Sequence, residues 1–302
     1  MSENSVEYKK LLDPVYLSKL NSLELISKKV VEGFMVGLHK SPYHGFSAEF
    51  SEFRPYQSGD SIQNIDWKIF ARSDKYFIKR FEEETNLISH ILLDVSKSME
   101  FQSGANVSKL HYGKMLAASL THLMLNQKDA TGLVLFSDKI NEFIAPRAIK
   151  THKNVILKKL TEISSSGETE TAYCLNLVAE KLKKRGLVII ISDLMDSVDS
   201  VLSAIKHIHF KKNEVIVFQL LDPVEVDFSF SSDTIFVDKE TGEEITTQPQ
   251  QIQKGYQEAV RQFINQIQTE CRSIGVEYNL LLTNEFLDKA LLEYFKKRQK
   301  LA

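Results

Sequence analysis

The sequence has few cysteines and no long apolar run, so it lacks the features of disulfide-stabilised and membrane-spanning proteins. Its two cysteines, Cys174 and Cys271, lie far apart and in helix-like contexts, so we expect small core residues and neither a disulfide framework nor a thiolate metal site. No apolar run approaches the roughly 20 residues that a helix needs to cross a bilayer. The N-terminus is polar and contains no apolar signal region. These absences predict a cytoplasmic protein that does not insert into a membrane.

An excess of charge of one sign is also absent. The chain has 38 lysines and arginines against 40 aspartates and glutamates, which gives a formal net charge of -2. Nucleic acids and anionic membrane surfaces are bound through concentrated positive charge, so we expect neither as a partner. The histidines show no pairing at a metal-ligand spacing, and a zinc site is therefore not predicted.

From about residue 86 onward, apolar strands alternate with segments of helical periodicity. After a first strand that ends at Asp94, strands are predicted at Thr131–Ser137, Leu187–Ser192, Val215–Leu220 and Val276–Leu282. Near-continuous apolar runs separated by helices are typical of a mainly parallel sheet covered on both faces. The pattern predicts a doubly wound α/β fold over residues 86–302. It also predicts a small β insertion around residues 222–247, with extended pieces near Phe228–Phe230 and Ile235–Val237.

Residues 1–85 show a different pattern. The apolar periodicity of Pro14–Lys29 predicts a helix, and the β-branched pair Val30–Val31 predicts a change to extended chain. Glycines and a proline just beyond this pair indicate a loop-rich region. From Phe46 to Glu84 aromatic and charged residues are dense. This density predicts an ordered, β-rich elaboration packed on the core, with one helical turn within Asp60–Trp67.

Side chains with oxygen donors follow three of the predicted elements. Asp94, Ser96 and Ser98 follow the first strand, Thr169 lies in a loop before a helix, and Asp193 ends a later strand. In open α/β sheets, ligands collect beyond the carboxyl ends of the strands, and hard oxygen donors suit a small divalent cation. The sequence therefore predicts a metal site made by these five residues, with Mg²⁺ as the expected ion and Mn²⁺ and Ca²⁺ as alternatives.

Each of these residues also has an ordinary structural interpretation. Asp94 could be a loop carboxylate that caps the next segment. Thr169 could cap a helix, and Asp193 could form a turn. Their order, each at the expected strand or loop position, favours one metal site over three unrelated roles. Ser192 is expected to hydrogen-bond to the site and not to act as a nucleophile, since no histidine is placed in the sequence to activate it.

The sequence Asp-x-Ser-x-Ser at Asp94–Ser98, a loop threonine and Asp193 together resemble the metal-ion-dependent adhesion site of von Willebrand factor A domains. This resemblance implies a von Willebrand A-like, Rossmann-like fold. Because few carboxylates contact the ion in such a site, some of its positive charge remains uncompensated. An acidic side chain from a partner protein can then complete the coordination.

A further set of motifs extends over nearly the whole chain. Its segments are Gly37–Ser41, Arg54–Tyr56, Ile65–Trp67, Ala71–Arg72, Phe81–Glu84, Asp94–Met99, Leu221–Pro223 and Tyr294–Arg298. Together they resemble the bacterial family called domain of unknown function 58. In that family the threonine loop usually resembles Gly-Gly-Thr-Asp, whereas here it is Gly167–Glu170, which leaves Thr171 open as an alternative to Thr169. Many relatives carry membrane-spanning segments near the N-terminus, so the chain resembles the short soluble branch.

The family resemblance implies a protein-binding module that works with a MoxR-type AAA+ ATPase. On this interpretation the chain is not an enzyme. It is a metal-bearing adaptor, and the ATPase or its client is the protein partner.

Two other interpretations stay open. Asp94 could be the nucleophile of a Mg²⁺-dependent phosphoryl-transfer enzyme or hydrolase, although Ser96 stands where an Asp-x-Asp motif has its second acid and no phosphate-binding glycine loop is present. Alternatively, the charged and aromatic block from Arg54 to Arg72 could be a docking face. For that block we favour a structural role, because its acids and bases interleave with apolar residues.

Overall fold

A computed structural model describes residues 12–39, 54–55, 76–78, 87–230, 234–237 and 244–301. The strands are β1 (Arg54–Pro55), β2 (Phe77–Ile78), β3 (Ile88–Asp94), β4 (Ala130–Phe136), β5 (Ile140–Arg147), β6 (Leu187–Ser192), β7 (Glu214–Leu221), β8 (Thr234–Val237), β9 (Glu244–Thr247) and β10 (Glu277–Leu282). The helices are α1 (Pro14–Leu17), α2 (Leu23–His39), α3 (Lys109–Asn126), α4 (His152–Glu162), α5 (Thr171–Lys181), α6 (Val198–Phe210), α7 (Pro223–Asp227), α8 (Pro249–Ser273) and α9 (Asp288–Leu301), with a short 3-10 helix at Lys97–Glu100.

The central feature is a six-stranded sheet in the order β10-β7-β6-β3-β4-β5. All neighbouring strands are parallel except β4 and β5, which are antiparallel. The chain enters the sheet at β3, runs outward through β4 and β5, and returns to the other side of β3 as β6. The mixed α/β fold with a mostly parallel sheet is therefore confirmed. The carboxyl end of β3 lies where the strand order reverses, which is where such sheets bind ligands.

Helices cover both faces of this sheet, because successive side chains of each strand point to opposite sides. On β3, Ile91 and Leu93 belong to a buried cluster with α2, α3, α4 and α9, whereas Leu92 belongs to the cluster with α5, α6 and α8. The predicted core positions of Cys174 and Cys271 are confirmed, since both lie in the second cluster. Burial raises the pKa of each thiol to about 12.

The N-terminal segment differs from the sequence prediction. The expected helix is interrupted after α1 and resumes as α2, and the predicted change to extended chain at Val30–Val31 is wrong. Val30 is fully buried and Phe34 packs edge-on against Phe295 of α9, with ring centroids 6.0 Å apart. Burial of this apolar helix face outweighs the weak helix propensity of valine. Gly33 consequently lies inside the helix and not in a loop.

The insertion after β7 also differs in part. An extended piece at Phe228–Phe230 was expected, but Asp222 caps α7 and Phe228 ends it in the left-handed conformation, with φ of 48°. The strand expected at Ile235–Val237 is confirmed and pairs with β9. Of the β-rich elaboration predicted upstream, the described part is the antiparallel pair β1 and β2. The predicted helical turn at Asp60–Trp67 lies outside the described residues, as does most of the Arg54 to Arg72 block.

Helix α5 ends at Lys181, and the last helix begins at Asp288. Within the ranges given above, no helix is both long enough and apolar enough to cross a membrane.

Candidate functional site

The site begins with a sharp turn at the carboxyl end of β3. The backbone N–H of Ser96 donates to Asp94 Oδ1 at 2.9 Å, which is the side-chain-to-backbone bond that aspartate uses to form turns. Ser96 then occupies the N-cap position of the 3-10 helix, and its Oγ lies 3.0 Å from Ser98 Oγ. The sequence-predicted trio Asp94, Ser96 and Ser98 is therefore a single connected group of oxygens. Asp94 and Ser96 are fully buried, whereas Ser98 is half-buried.

The loop before α5 is joined to this turn by backbone hydrogen bonds. Ser166 N–H donates to Val95 O at 2.9 Å, and Lys97 N–H donates to Gly167 O at 3.3 Å. Gly167 has a φ of 76°, and a Cβ at this position would collide with the carboxylate of Asp138. Backbone conformation therefore favours glycine here, and any side chain would also have to displace the Asp138 carboxylate.

Both candidate threonines reach the oxygen cluster, from different sides. Thr169 Oγ1 lies 3.4 Å from Ser98 Oγ, and Thr171 Oγ1 lies 3.5 Å from Asp94 Oδ2. At these distances the hydroxyls contact the cluster only weakly. Thr171 is buried and Thr169 is half-buried. The two half-buried donors, Ser98 and Thr169, therefore form the solvent-facing side of the cluster.

The end of β6 supplies a hydrogen-bond donor to the cluster and a second carboxylate beside it. Ser192 Oγ donates to Asp94 Oδ2 at 2.6 Å and accepts the N–H of Leu194 at 2.9 Å. This is the orienting hydrogen bond that the sequence suggested for Ser192. Asp193 is fully buried, and its Oδ1 accepts the N–H of Met195 at 3.2 Å.

The two buried carboxylates make the site electrostatically unfavourable when Asp94 is ionised. Burial, followed by the negative charge of Asp193, raises the pKa of Asp94 from 3.8 to about 6. Hydrogen bonds from Ser192 and Ser96 oppose this rise only in part. A positive charge beside Asp94 would offset both causes.

Sequence reasoning missed Lys109, the first residue of α3. Its side chain is 1% exposed, and its Nζ donates to Asp193 Oδ2 at 2.8 Å and to Glu225 Oε1 at 2.6 Å. Burial alone lowers the pKa of this lysine, but the two carboxylates raise it above its ordinary value. One signal was available: a lysine in the first turn of a helix opposes the helix dipole, which suggests a specific anionic partner.

The donor set is consistent with a hard divalent cation. In the part of the chain that the structure describes, no three histidine, cysteine, aspartate or glutamate side chains are grouped so that they could hold a metal. A cation would instead depend on the carboxylates of Asp94 and Asp193 together with the hydroxyls of Ser96, Ser98 and a threonine, all of them oxygen donors. Asp193 lies near enough to repel Asp94, but Lys109 binds one of its carboxylate oxygens.

The chain is similar to proteins from two mycobacteria. The uncharacterized proteins Mb1516 of Mycobacterium bovis and Rv1480 of Mycobacterium tuberculosis are each 25% identical over 235 residues, or 76% of this chain and 73% of theirs.

Two solved structures are also similar. One is an aerotolerance-related membrane protein from Bacteroides fragilis, with a TM-score of 0.48, 20% identity, and coverage of 70% of this chain and 99% of that one. The other is the conserved hypothetical protein BatB from Bacteroides thetaiotaomicron, with a TM-score of 0.45, 17% identity, and coverage of 71% and 98%. Residues 52–265 match the family described as "Protein of unknown function DUF58", and the chain belongs to that family.

Proposed function

We propose that the chain is a metal-dependent protein-binding module with a von Willebrand A-like adhesion site. Asp94, Ser96, Ser98, Thr169 and Asp193 would hold a divalent cation, most simply Mg²⁺, with Thr171 as the alternative threonine. When bound, the cation supplies a position that a carboxylate of a partner protein can fill. The proposal assigns the chain no catalytic step.

One observation carries the proposal. A fully buried aspartate with a pKa raised to about 6 lies within a connected set of serine and threonine hydroxyls, at the end of the central strand. A buried carboxylate beside a second carboxylate is unfavourable unless a positive charge compensates it. The neighbouring hydroxyls give oxygen donors for such a charge without adding further negative charge.

The exposure of the donors supports a role in binding. Asp94 and Ser96 are buried beneath the cluster, whereas Ser98 and Thr169 are half-buried at its rim. A ligand from solvent would therefore approach past Ser98 and Thr169. Asp193 already pairs with Lys109, so Asp94 is the one carboxylate without a cationic partner among the five proposed ligands. A bound divalent cation would outweigh this single charge, and the positive charge that remains favours an anionic partner.

The choice of partner rests on family resemblance and not on a contact in the structure. We propose a MoxR-type AAA+ ATPase, or a client of one, as the protein that supplies the acidic group. The cation site would then make this interaction sensitive to chelators.

The test is capture of a MoxR-type ATPase from the same organism by immobilised protein in Mg²⁺ and in EDTA. Capture should occur in Mg²⁺, and be lost in EDTA and in Asp94→Asn protein. The matched control is Asp199→Asn, which removes an exposed aspartate from the first turn of α6 and should leave capture unchanged. Equal capture by Asp94→Asn protein, with no effect of chelator, would rule out the metal bridge.

The phosphoryl-transfer alternative keeps one observation in its favour, because Asp94 ends the central strand where a nucleophile would be placed. Against it, Asp94 Oδ2 is occupied by the Ser192 hydrogen bond, and Ser96 offers no acid to protonate a leaving group. Hydrolysis of p-nitrophenyl phosphate that disappears in Asp94→Asn protein would favour this alternative over the binding role.

A further inference from the structure

The buried lysine at the start of α3 contacts three separate elements around the site. Its Nζ binds Asp193 at the end of β6 and Glu225 in α7. It also lies 5.9 Å from the ring centroid of Phe101, and its backbone N–H donates to Phe101 O at 3.2 Å. Phe101 follows the 3-10 helix that carries Ser98, so Lys109 is fixed against the same loop that carries the cation donors.

The partners of Lys109 are themselves held in place. Glu225 Oε2 accepts the N–H of Asp222 at 2.7 Å in the capping box of α7. The backbone carbonyl of Asp193 accepts a hydrogen bond from Gln219 Nε2 at 2.9 Å. Stability alone does not require this arrangement, because well-packed apolar side chains often replace a buried ion pair at no cost.

We propose that Lys109 is a positioning residue that sets the charge of the cation site. By binding Asp193, it offsets part of the charge of that carboxylate and restrains it beside the site, so that Asp94 remains the carboxylate without a cationic partner. The bound cation then keeps the positive charge that selects an acidic ligand. This inference rests on the proposed function and adds to it the residue that determines ligand charge.

Two variants separate this role from a structural one. Glu225→Gln leaves Lys109 paired with Asp193 alone, so the charge of Asp193 is neutralised more completely. The double variant Lys109→Met with Glu225→Gln differs from the first only by the lysine, and it frees the charge of Asp193 without leaving a second carboxylate uncompensated.

The probes are Mn²⁺, measured by electron paramagnetic resonance, and acetate, titrated against the Mn²⁺-loaded protein by water-proton relaxation. Relative to Glu225→Gln, the double variant should bind Mn²⁺ on the order of tenfold more tightly, as expected for removal of a nearby unit charge. It should also bind acetate more weakly. Glu225→Gln by itself should bind Mn²⁺ more weakly than the wild-type protein. A purely structural role predicts weaker binding of both probes in both variants.

The outcomes distinguish this inference from the function on which it rests. If the wild-type protein binds Mn²⁺ but the two variants show the same Mn²⁺ and acetate affinities, the role of Lys109 is wrong and the metal site stands. Loss of both affinities in the double variant, with its circular dichroism spectrum unchanged, also overturns the role. No Mn²⁺ binding by the wild-type protein would overturn the metal site and this inference together.

Discussion

Replacing Asp94 with asparagine should remove a pH-dependent loss of stability that the wild-type protein shows without divalent cations. The pKa of Asp94 is raised from 3.8 to about 6 by burial and by Asp193. Below pH 3.8 the carboxyl group is protonated in both the folded and the unfolded chain and imposes no penalty. Above pH 6 it is ionised in both, and the folded chain bears the full cost. Stability is therefore lost as the pH rises between these two values.

The size of this loss follows from the difference between the two pKa values. At about 1.4 kcal/mol per pH unit, it amounts to about 3 kcal/mol. Asparagine has nearly the same shape and carries no charge, so it should abolish this contribution. In EDTA at pH 7 the Asp94→Asn protein should therefore be about 3 kcal/mol more stable than the wild type, whereas at pH 4 the two should be nearly equal.

The assay is urea denaturation in EDTA at half-unit pH steps from 4 to 7, for wild-type and Asp94→Asn protein. Other carboxylates titrate in both proteins, so the difference between them isolates Asp94. Added Mg²⁺ should stabilise the wild type at pH 7 and leave the variant unchanged. A stability difference that stays constant from pH 4 to pH 7 would show that Asp94 is not held in an unfavourable charged state, and the argument for a cation would fail.

Three further substitutions test the packing around the site. Gly167→Ala should lower the free energy of unfolding by about 1 to 3 kcal/mol and weaken Mg²⁺ binding measured by calorimetry. The control is Gly104→Ala, which is also at positive φ but has open space around it and should leave Mg²⁺ binding unchanged. Ser192→Ala should cost about 1 to 3 kcal/mol in urea denaturation, because it leaves the Asp94 carboxylate with an unmet hydrogen bond. Lys109→Met should lower the free energy of unfolding by about 3 to 5 kcal/mol, because it breaks a buried ion pair. Lys206→Met, which breaks a partly exposed ion pair, should lower it by less than about 1 kcal/mol. Equal losses for the two lysines would contradict the burial of the first.

The strands could be predicted from the sequence because the central ones are buried on both faces. A run such as Leu187–Ser192 is apolar up to its last residue, and the structure begins and ends β6 at these residues. The part of helix α2 from Val30 onward could not be predicted this way, because Val30 favours strand by propensity and becomes helical through contacts with α3 and α9. The error at Phe228–Phe230 was avoidable. Asp222 followed by proline and, three residues on, by Glu225 is the signature of a capping box at a helix start.

In the site, too, groups that are close together in the sequence could be predicted, whereas contacts between distant parts of the chain could not. Asp94, Ser96 and Ser98 could be predicted because one turn after one strand places them together. The partners of Lys109 could not be predicted, since they lie 84 and 116 residues further along the chain. The choice between Thr169 and Thr171 depends on loop geometry, and both hydroxyls reach the cluster.

Anomalous diffraction from crystals of this protein grown with Mn²⁺ would show whether a divalent cation binds at the end of β3. We expect an anomalous peak beyond the carboxyl end of β3, bounded by Asp94, Ser96, Ser98, Asp193 and one of the two threonines. We also expect Lys109 still to pair with Asp193 in those crystals. Crystals that contain Mn²⁺ at other positions but none beside Asp94 would contradict the proposed cation site.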